Sequence, residues 1–524
     1  MITTTHSATR RRVTVAALAA LSLLVLPSVA LAEAGPLAAP AIPGVAALPG
    51  PVVDPGKPAV EMKLLKTAPD IALAGAAVTI SGSGLPANKD VTLTWGTANV
   101  DWVLDPRADS VDYLGRKATK FAVQLAKVHT SASGVFSVQL KAPQDFGGLH
   151  EIYAVVDGVQ VAKGGFLLAR SASISPKRGP IGTMITITYK GLGSSLYEGG
   201  GSLLYDNKYV GAVMANWTRG VAKVHIRASG PVGKHTIDIS DAISFKYLNI
   251  EQSPIPWGTG FTFTFVVTKD NGRPAARIDW PANVAPTLAT RTTLATAGLG
   301  TATSSTASLA STSGAVMTKV GLTAAGLTPN AAVDLQWATV VGNRVNCTGT
   351  CWSFVSIPLG KTTASAGGTL SSQIQVPDGL GGWHVVQVLQ GGQVKAQVPY
   401  FVKRSFVGNG VSSLKLKRGQ HFTIHLKGVG WTQLDNTIAV TYDNSYVGYG
   451  CGFNSNGDVV MNMIATGAPG THLIDMYPLL YTQQPSYANT PYGMVPILTY
   501  ERDAPGLALG YQLPAMRLAI TIAN

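Results

Sequence analysis

The sequence predicts an all-β chain of four tandem β-sandwich domains. Three observations predict it. One short motif recurs four times, each copy is answered downstream by Gly-x-His, and the composition suits strands joined by turns. Internal repetition fixes an architecture before any single residue does. With 46% hydrophobic but only 13% charged residues, 58 Gly and 31 Pro in 524 positions, the chain is low in charge and rich in turn formers. No long stretch carries helical periodicity.

The first copy of the motif is Gly75-Ala-Ala-Val78-Thr79-Ile80, running into Gly84-Leu85. The second is Gly182-Thr-Met-Ile185-Thr186-Ile187, running into Gly191-Leu192. Gly419-Gln-His-Phe422-Thr423-Ile424 runs into Gly428-Val429. A degraded copy holds Met317, Val320 and Leu322 before Gly326-Leu327, so its first strand is the least regular. Apolar residues at alternate positions bury one face of a strand and leave Thr on the other. The Gly that follows suits a bulge or a turn needing an unusual backbone angle. The answering elements are Gly148-Leu-His150, Gly233-Lys-His235, Gly382-Trp-His384 and Gly470-Thr-His472, each a turn feeding a late strand.

The four copies form two matching pairs. Leu93-Thr-Trp95 matches Leu335-Gln-Trp337, and Tyr205-Asp206-Asn207 matches Tyr442-Asp443-Asn444. The order is therefore A–B–linker–A′–B′, a duplicated pair. From Gly to His the spacing is 44 positions in B (191 to 235) and 44 in B′ (428 to 472). It is 66 in A (84 to 150) and 58 in A′ (326 to 384). The A-type units thus carry inserts after the Leu-x-Trp strand, expected as surface loops.

Before the first unit, residues 1–32 read as a signal peptide: Arg10, Arg11 and Arg12, an apolar run from Val13 to Leu26, and Ala30-Leu31-Ala32. The run is short for a permanent membrane span, and the general secretory route is favoured over the twin-arginine one. Residues 33–60 are a Pro/Ala-rich tether and 282–312 a Thr/Ser/Ala-rich linker. The folded regions are A at 61–170, B at 171–281, A′ at 313–404 and B′ at 405–524. In B and B′ the chain continues past the His into alternating strands, Phe261-Thr-Phe263-Thr-Phe265 and Leu518-Ala-Ile520-Thr-Ile522.

Units of about a hundred residues with this strand density fit immunoglobulin-like sandwiches without the paired cysteines of antibody domains. The Gly75–Leu85 opening and the Gly-x-His-x-Ile closings resemble bacterial extracellular immunoglobulin-like repeats of the IPT/TIG type. The likeness covers most of residues 61–524. It implies the fold and, more loosely, a role as spacer, surface presenter, adhesion module or accessory to secreted enzymes.

The repeated histidines look chemical, but each sits in a different unit with no second ligand at metal spacing. His150, His235, His384 and His472 are expected to pack or to bond a turn carbonyl. His421 and His425 are four apart on a predicted strand, where they do not meet. The A insert holds Asp101, Trp102, Asp105, Asp109 and Asp112 without a calcium-loop spacing, and reads as a solvated loop. No catalytic residue, metal site or cofactor is expected. Trp102 and Trp352, one in each insert, are the ligand-contact candidates, against the alternative that each folds onto its own sandwich. Cys347 and Cys351 are disulfide candidates, which leaves Cys451 over as a thiol or as half of a bond between molecules. A bond from either to Cys451 is the other possibility.

The net charge is +13, and removal of residues 1–32 takes away three Arg and no acid, leaving 37 basic against 27 acidic residues, or +10. That charge suits an anionic polymer, although no dense basic run points to specific nucleic-acid binding. The expected function is a secreted or cell-surface, non-enzymatic protein with a structural or adhesive role in an extracellular matrix, its four sandwiches forming a jointed rod with self-assembly through sheet edges or Cys451 open to it. Its expected partners are a cell-surface or extracellular polymer, an anionic glycan among them, or other copies of itself. The alternatives are a polysaccharide-binding accessory protein and, less favoured, an enzyme on a sandwich scaffold.

Overall fold

A computed structural model describes residues 46–104, 113–195, 199–241, 248, 251, 260–279, 305–343, 352–431, 436–480, 495–499 and 512–523. All of them belong to the unit spanning Ala39–Asn524. The chain is all-β, and its described residues form eight sheets with no helical element.

The repeated motif builds one kind of sheet. Ala77–Gly82, Met184–Lys190, Lys319–Ala325 and His421–Lys427 are each the middle strand of a three-stranded sheet. In each the alternate residues are buried: Val78 and Ile80, Ile185 and Ile187, Val320 and Leu322, Phe422 and Ile424. The closing Gly84, Gly191, Gly326 and Gly428 all have left-handed backbone, φ between 68° and 82°. The leading Gly75, Gly182 and Gly419 do too, at 82–87°, and in the degraded copy Met317 adopts it at 64°. That copy keeps the backbone of its siblings although it lost the glycine that makes it cheap.

Facing each small sheet is a larger one, and the two share a core, as in an immunoglobulin-like sandwich. In region A the Val78 and Ile80 side chains meet Leu93, Trp95, Ile152, Ala154 and Phe166. The large A sheet runs Val52–Val53, Tyr113–His129, Asp90–Leu104, Gly148–Val156, Val159–Leu168 and Lys57–Leu64. Its A′ counterpart runs Ser313–Ala315, Gln393–Lys403, Gly382–Gln390, Ala332–Gly342 and Trp352–Thr363. In B the order is Arg178–Gly179, Phe261–Val267, Gly233–Asp241, Gly200–Tyr205 and Lys208–Met214. In B′ it is Arg277–Ile278, Met516–Ile522, Gly470–Leu480, Thr437–Tyr442 and Ser445–Cys451.

Several expectations change. Tether residues Val52–Val53 are a strand, the tether's end from Lys57 to Val60 begins the strand Lys57–Leu64, and linker residues Thr306–Leu309 are another. Composition pointed away from a core, but a strand added at a sheet edge needs backbone partners rather than buried side chains. Seven of the eight residues in Lys57–Leu64 are exposed. The described parts of the inserts are paired strands rather than loops. Asp90–Leu104 pairs with Tyr113–His129, putting Asp101 opposite Lys117 and Trp102 opposite Arg116. Ala332–Gly342 pairs with Trp352–Thr363 in the same way. Asp105, Asp109 and Asp112 lie outside the described residues.

B and B′ are not independently jointed either. Ala439, Leu473, Tyr477, Leu479 and Ile497 of B′ belong to the same buried cluster as Leu203, Val210 and Ile237 of B. Two segments cross between the regions. Residues Arg277–Ile278, downstream of the B strands, pair with Met516–Ile522 of B′. In return Ile497 of B′ bridges to Ala212 of B, and the Leu498 amide donates to the Ala212 carbonyl at 2.9 Å.

Candidate functional site

The four repeated histidines share one geometry. In each, Nε2 faces the carbonyl oxygen four residues earlier: Phe146 at 2.7 Å, Pro231 at 2.7 Å, Leu380 at 2.9 Å and Ala468 at 2.8 Å. Each ring also stacks on an aromatic from the neighbouring strand: Trp95, Tyr205, Trp337 and Tyr442, with centroids 4.1–5.4 Å apart. These histidines close turns and pack the core, as their repetition implied. The pairing of Leu-x-Trp in A and A′, Leu203-Leu-Tyr205 in B and Val440-Thr-Tyr442 in B′ with Gly-x-His is a signal the sequence holds, since the aromatic recurs at one motif position in all four units.

The two unit types differ at Nδ1. In A and A′ it faces a strand carbonyl, Gly96 at 2.8 Å and Ala338 at 3.3 Å. In B and B′ it meets the Asp of the Tyr-Asp-Asn turn, Asp206 at 2.6 Å and Asp443 at 2.5 Å. The other oxygen of that Asp accepts the Thr236 or Leu473 amide. The turn aspartate therefore ties the hairpin to the histidine strand. Burial opposes a charge on His472, but the Asp443 carboxylate and the Ala468 carbonyl outweigh it and hold its pKa above the ordinary value.

Two buried ion pairs mark the junctions, and sequence reasoning missed both. At the A/B junction the Arg219 Nε donates to Asp145 at 3.1 Å, and its Nη atoms donate to Asn99 at 3.1 Å and Thr97 at 2.7 Å. The Trp95 indole donates to the other Asp145 oxygen at 2.9 Å. At the B/B′ junction the Arg227 guanidinium meets both oxygens of Asp475, at 2.5 and 3.1 Å, and donates to the Leu518 carbonyl at 2.9 Å. Asn444 seals this joint by donating to the Arg227 carbonyl at 2.7 Å and Ser229 at 2.9 Å. Buried pairs of this kind fix geometry because breaking one leaves a charge stranded. Their partners lie 74 and 248 positions apart, so no local pattern announces them.

The A′/B′ junction occupies the same motif positions with different chemistry. Gly147 and Gly381 both donate to the B-type loop, to Leu192 and Val429 carbonyls at 2.9 Å each. A Cβ on either would overlap a loop carbonyl. Where A/B has Asp145 and Arg219, A′/B′ has Gly379 and Asn456. Its packing comes instead from Trp383, Phe401, Trp431 and Phe453. The Trp431 indole donates to the Trp383 carbonyl at 3.2 Å.

Of the ligand-contact candidates, Trp102 lies near the far end of one hairpin strand and Trp352 starts another, on different sheets. Cys347 and Cys351 lie outside the described residues. Cys451 ends strand Ser445–Cys451 and is exposed, its Sγ 3.6 Å from the Thr437 hydroxyl. His425 pairs with Asp458 at 2.5 Å, and His421, on the same strand face, stands roughly 13 Å further along. Among the described residues no three His, Cys, Asp or Glu gather in metal-binding fashion. No helix among them is long and apolar enough to cross a membrane.

No family model and no curated protein matches the chain. Among solved structures it is similar to a putative membrane-anchored protein from Corynebacterium diphtheriae, at 12% identity and a TM-score of 0.16, covering 88% of this chain and 91% of that one. The Yersinia pseudotuberculosis adhesin InvE matches at 11% identity and a TM-score of 0.15, covering 49% and 66%. Salmonella alpha-2-macroglobulin matches at 8% identity and a TM-score of 0.17 over 86% of this chain, which spans only 30% of that one. Identities and TM-scores this low carry no functional argument.

Proposed function

We propose that this chain is an exported, non-enzymatic protein of tandem immunoglobulin-like domains, with a structural and adhesive role at the cell surface or in an extracellular matrix. We take the four repeats as four domains of the IPT/TIG type. One observation carries the reading: the side chains that look reactive are committed to holding the fold. The repeated histidines close turns beneath stacked aromatics, and the Arg219 and Arg227 ion pairs sit buried in junctions. A chain that invests its polar groups in fixed junctions is built to hold surfaces in place. The export signal at residues 1–32 supports the location, and the balance of +10 beyond it supports an anionic glycan or another copy of the chain as partner.

Fractionation tests this reading. The chain should appear in the envelope or the medium, shortened by its first residues, and cells lacking it should lose adhesion or matrix integrity. Retention of the full-length chain in the cytoplasm would sink the proposal. A second reading, polysaccharide docking, is favoured by the placement of Trp102 and Trp352 on hairpin strands that lengthen the A-type sheets. It fails if Trp102→Ala and Trp352→Ala leave polysaccharide pulldown unchanged.

A further inference from the structure

The A and A′ sheets present the same outward row of side chains, and only one of the two rows is covered. In A′ the row is Trp383 opposite Phe401, on strands Gly382–Gln390 and Gln393–Lys403. In A the same motif positions hold Leu149 opposite Leu167, with Ile71 continuing the row on the far side of Leu167. Trp383 is 4% exposed and Phe401 0%, whereas Leu149 is 73% exposed and Leu167 37%.

The difference lies in what each B-type neighbour supplies. B′ lays Trp431 and Phe453 over the A′ row, and Phe354 of the A′ hairpin closes the side at 6.1 Å from Trp431. The equivalent positions are Ser194 and Asn216 in B, and Lys120 in A. Every large apolar group of the cap has been replaced by a small or polar one, yet the row beneath has stayed apolar. Leu64, on the edge strand Lys57–Leu64, is 72% exposed in a second row of the same face, opposite Lys163 and four residues along the strand from Leu167. A row of exposed aliphatic side chains on three adjacent strands, Leu149, Leu167 and Ile71, is a surface kept for contact, since scattered single side chains would need no such alignment.

We propose that this face of the A sheet docks a polypeptide segment of a partner protein that carries an exposed aromatic side chain flanked by acidic residues. The aromatic takes the place that Trp431 holds over A′. The acids answer the charge around the row. Lys163 and Lys120 both bear on Glu151, the acid between the two rows of the face, and Lys163 contacts it at 2.6 Å. This excess of lysine disfavours a second copy of the same face, which would bring like charges together. The inference deepens the adhesive reading and rests on it for the partner being a protein outside the cell.

The test uses the purified full chain and synthetic peptides with a central Trp flanked by Asp and Glu. Controls carry Ala for Trp, or Lys for the acids. Binding to the acidic Trp peptides is expected to weaken about tenfold or more with either control and with Leu149→Ser/Leu167→Ser. Both leucines are exposed, so the variant's thermal unfolding should match the parent. A second variant, Lys120→Glu/Lys163→Glu, should lose the preference for acids while still binding Trp. Peptide binding that survives the leucine substitutions overturns the proposal. So does a dimer of the parent chain that the same substitutions dissolve. Leucine-dependent flotation with phosphatidylglycerol-containing vesicles, without peptide binding, overturns it as well by assigning the face to lipid. Cytoplasmic retention sinks the adhesive reading while leaving this binding intact, so the two failures are separable.

Discussion

Removing one half of the buried Arg227–Asp475 pair should cost far more than removing both. Arg227→Met strands the Asp475 carboxylate where no water reaches it, since both side chains are 4% exposed or less. The expected loss is about 3–5 kcal/mol, a large share of a domain's stability. Asp475→Leu leaves a guanidinium that still donates to the Leu518 and Ile474 carbonyls, so its cost should fall at the low end of that range. The double variant Arg227→Met/Asp475→Leu removes both charges and forfeits chiefly the hydrogen bond to Leu518, worth about 1 kcal/mol. The coupling between the two sites should therefore be at least about 2 kcal/mol and favourable to the double variant. Urea unfolding followed by hydrogen exchange at Leu203 and Leu473, one in each half of the shared core, would measure it. The reasoning is refuted if Arg227→Met unfolds within about 1 kcal/mol of the parent, the range of an exposed pair. It also fails if the double variant is no better than the worse single one.

Other outcomes follow from the same geometry. Met317→Gly should stabilise the A′ region by about 1 kcal/mol, because a left-handed residue gives up its Cβ clash; thermal unfolding that falls instead would refute this. Trp431→Ala should destabilise by about 3–5 kcal/mol and expose Trp383, read as a red shift of indole fluorescence. His472 has a raised pKa in the folded chain, so its contribution is complete below its ordinary value of 6.5 and fades as pH rises through the folded value. The stability difference between the parent and His472→Asn should accordingly shrink between acid and alkaline pH, and a constant difference would count against it. Non-reducing peptide mapping should show a Cys347–Cys351 link with Cys451 outside it; a Cys451 link to either would show the alternative.

The strands of the repeated motif were legible because their information is local. Val78-Thr-Ile80 alternates within three residues, and the buried and exposed faces follow. The histidine turns were legible for a similar reason, as Nε2 and its carbonyl are four residues apart in every copy. What escaped depends on comparison across the chain. Val210 and Val447 occupy one motif position, yet the first is buried in the core that B and B′ share and the second is exposed. Leu149 and Trp383 differ likewise. Neither outcome is written in the strand itself, because each depends on what the following unit contributes. The inserts misled for another reason. Their Asp content reads as loop, while the backbone ladder between Asp90–Leu104 and Tyr113–His129 builds them as sheet.

The crossed segments between B and B′ impose an order of assembly. A ribosome releases residues 171–281 long before residues 495–522. Until those last residues arrive, Ala212 has no Ile497 beside it and the Met214 amide lacks the Thr499 hydroxyl that receives it. Arg227 meanwhile waits for Asp475. The first half therefore passes through a stage in which it is complete in sequence but unfinished in fold. A chain cut short anywhere before residue 495 damages a domain that begins more than three hundred positions upstream. Ribosome-stalled lengths ending before and after that point would reveal it as a step in protease resistance of the B region.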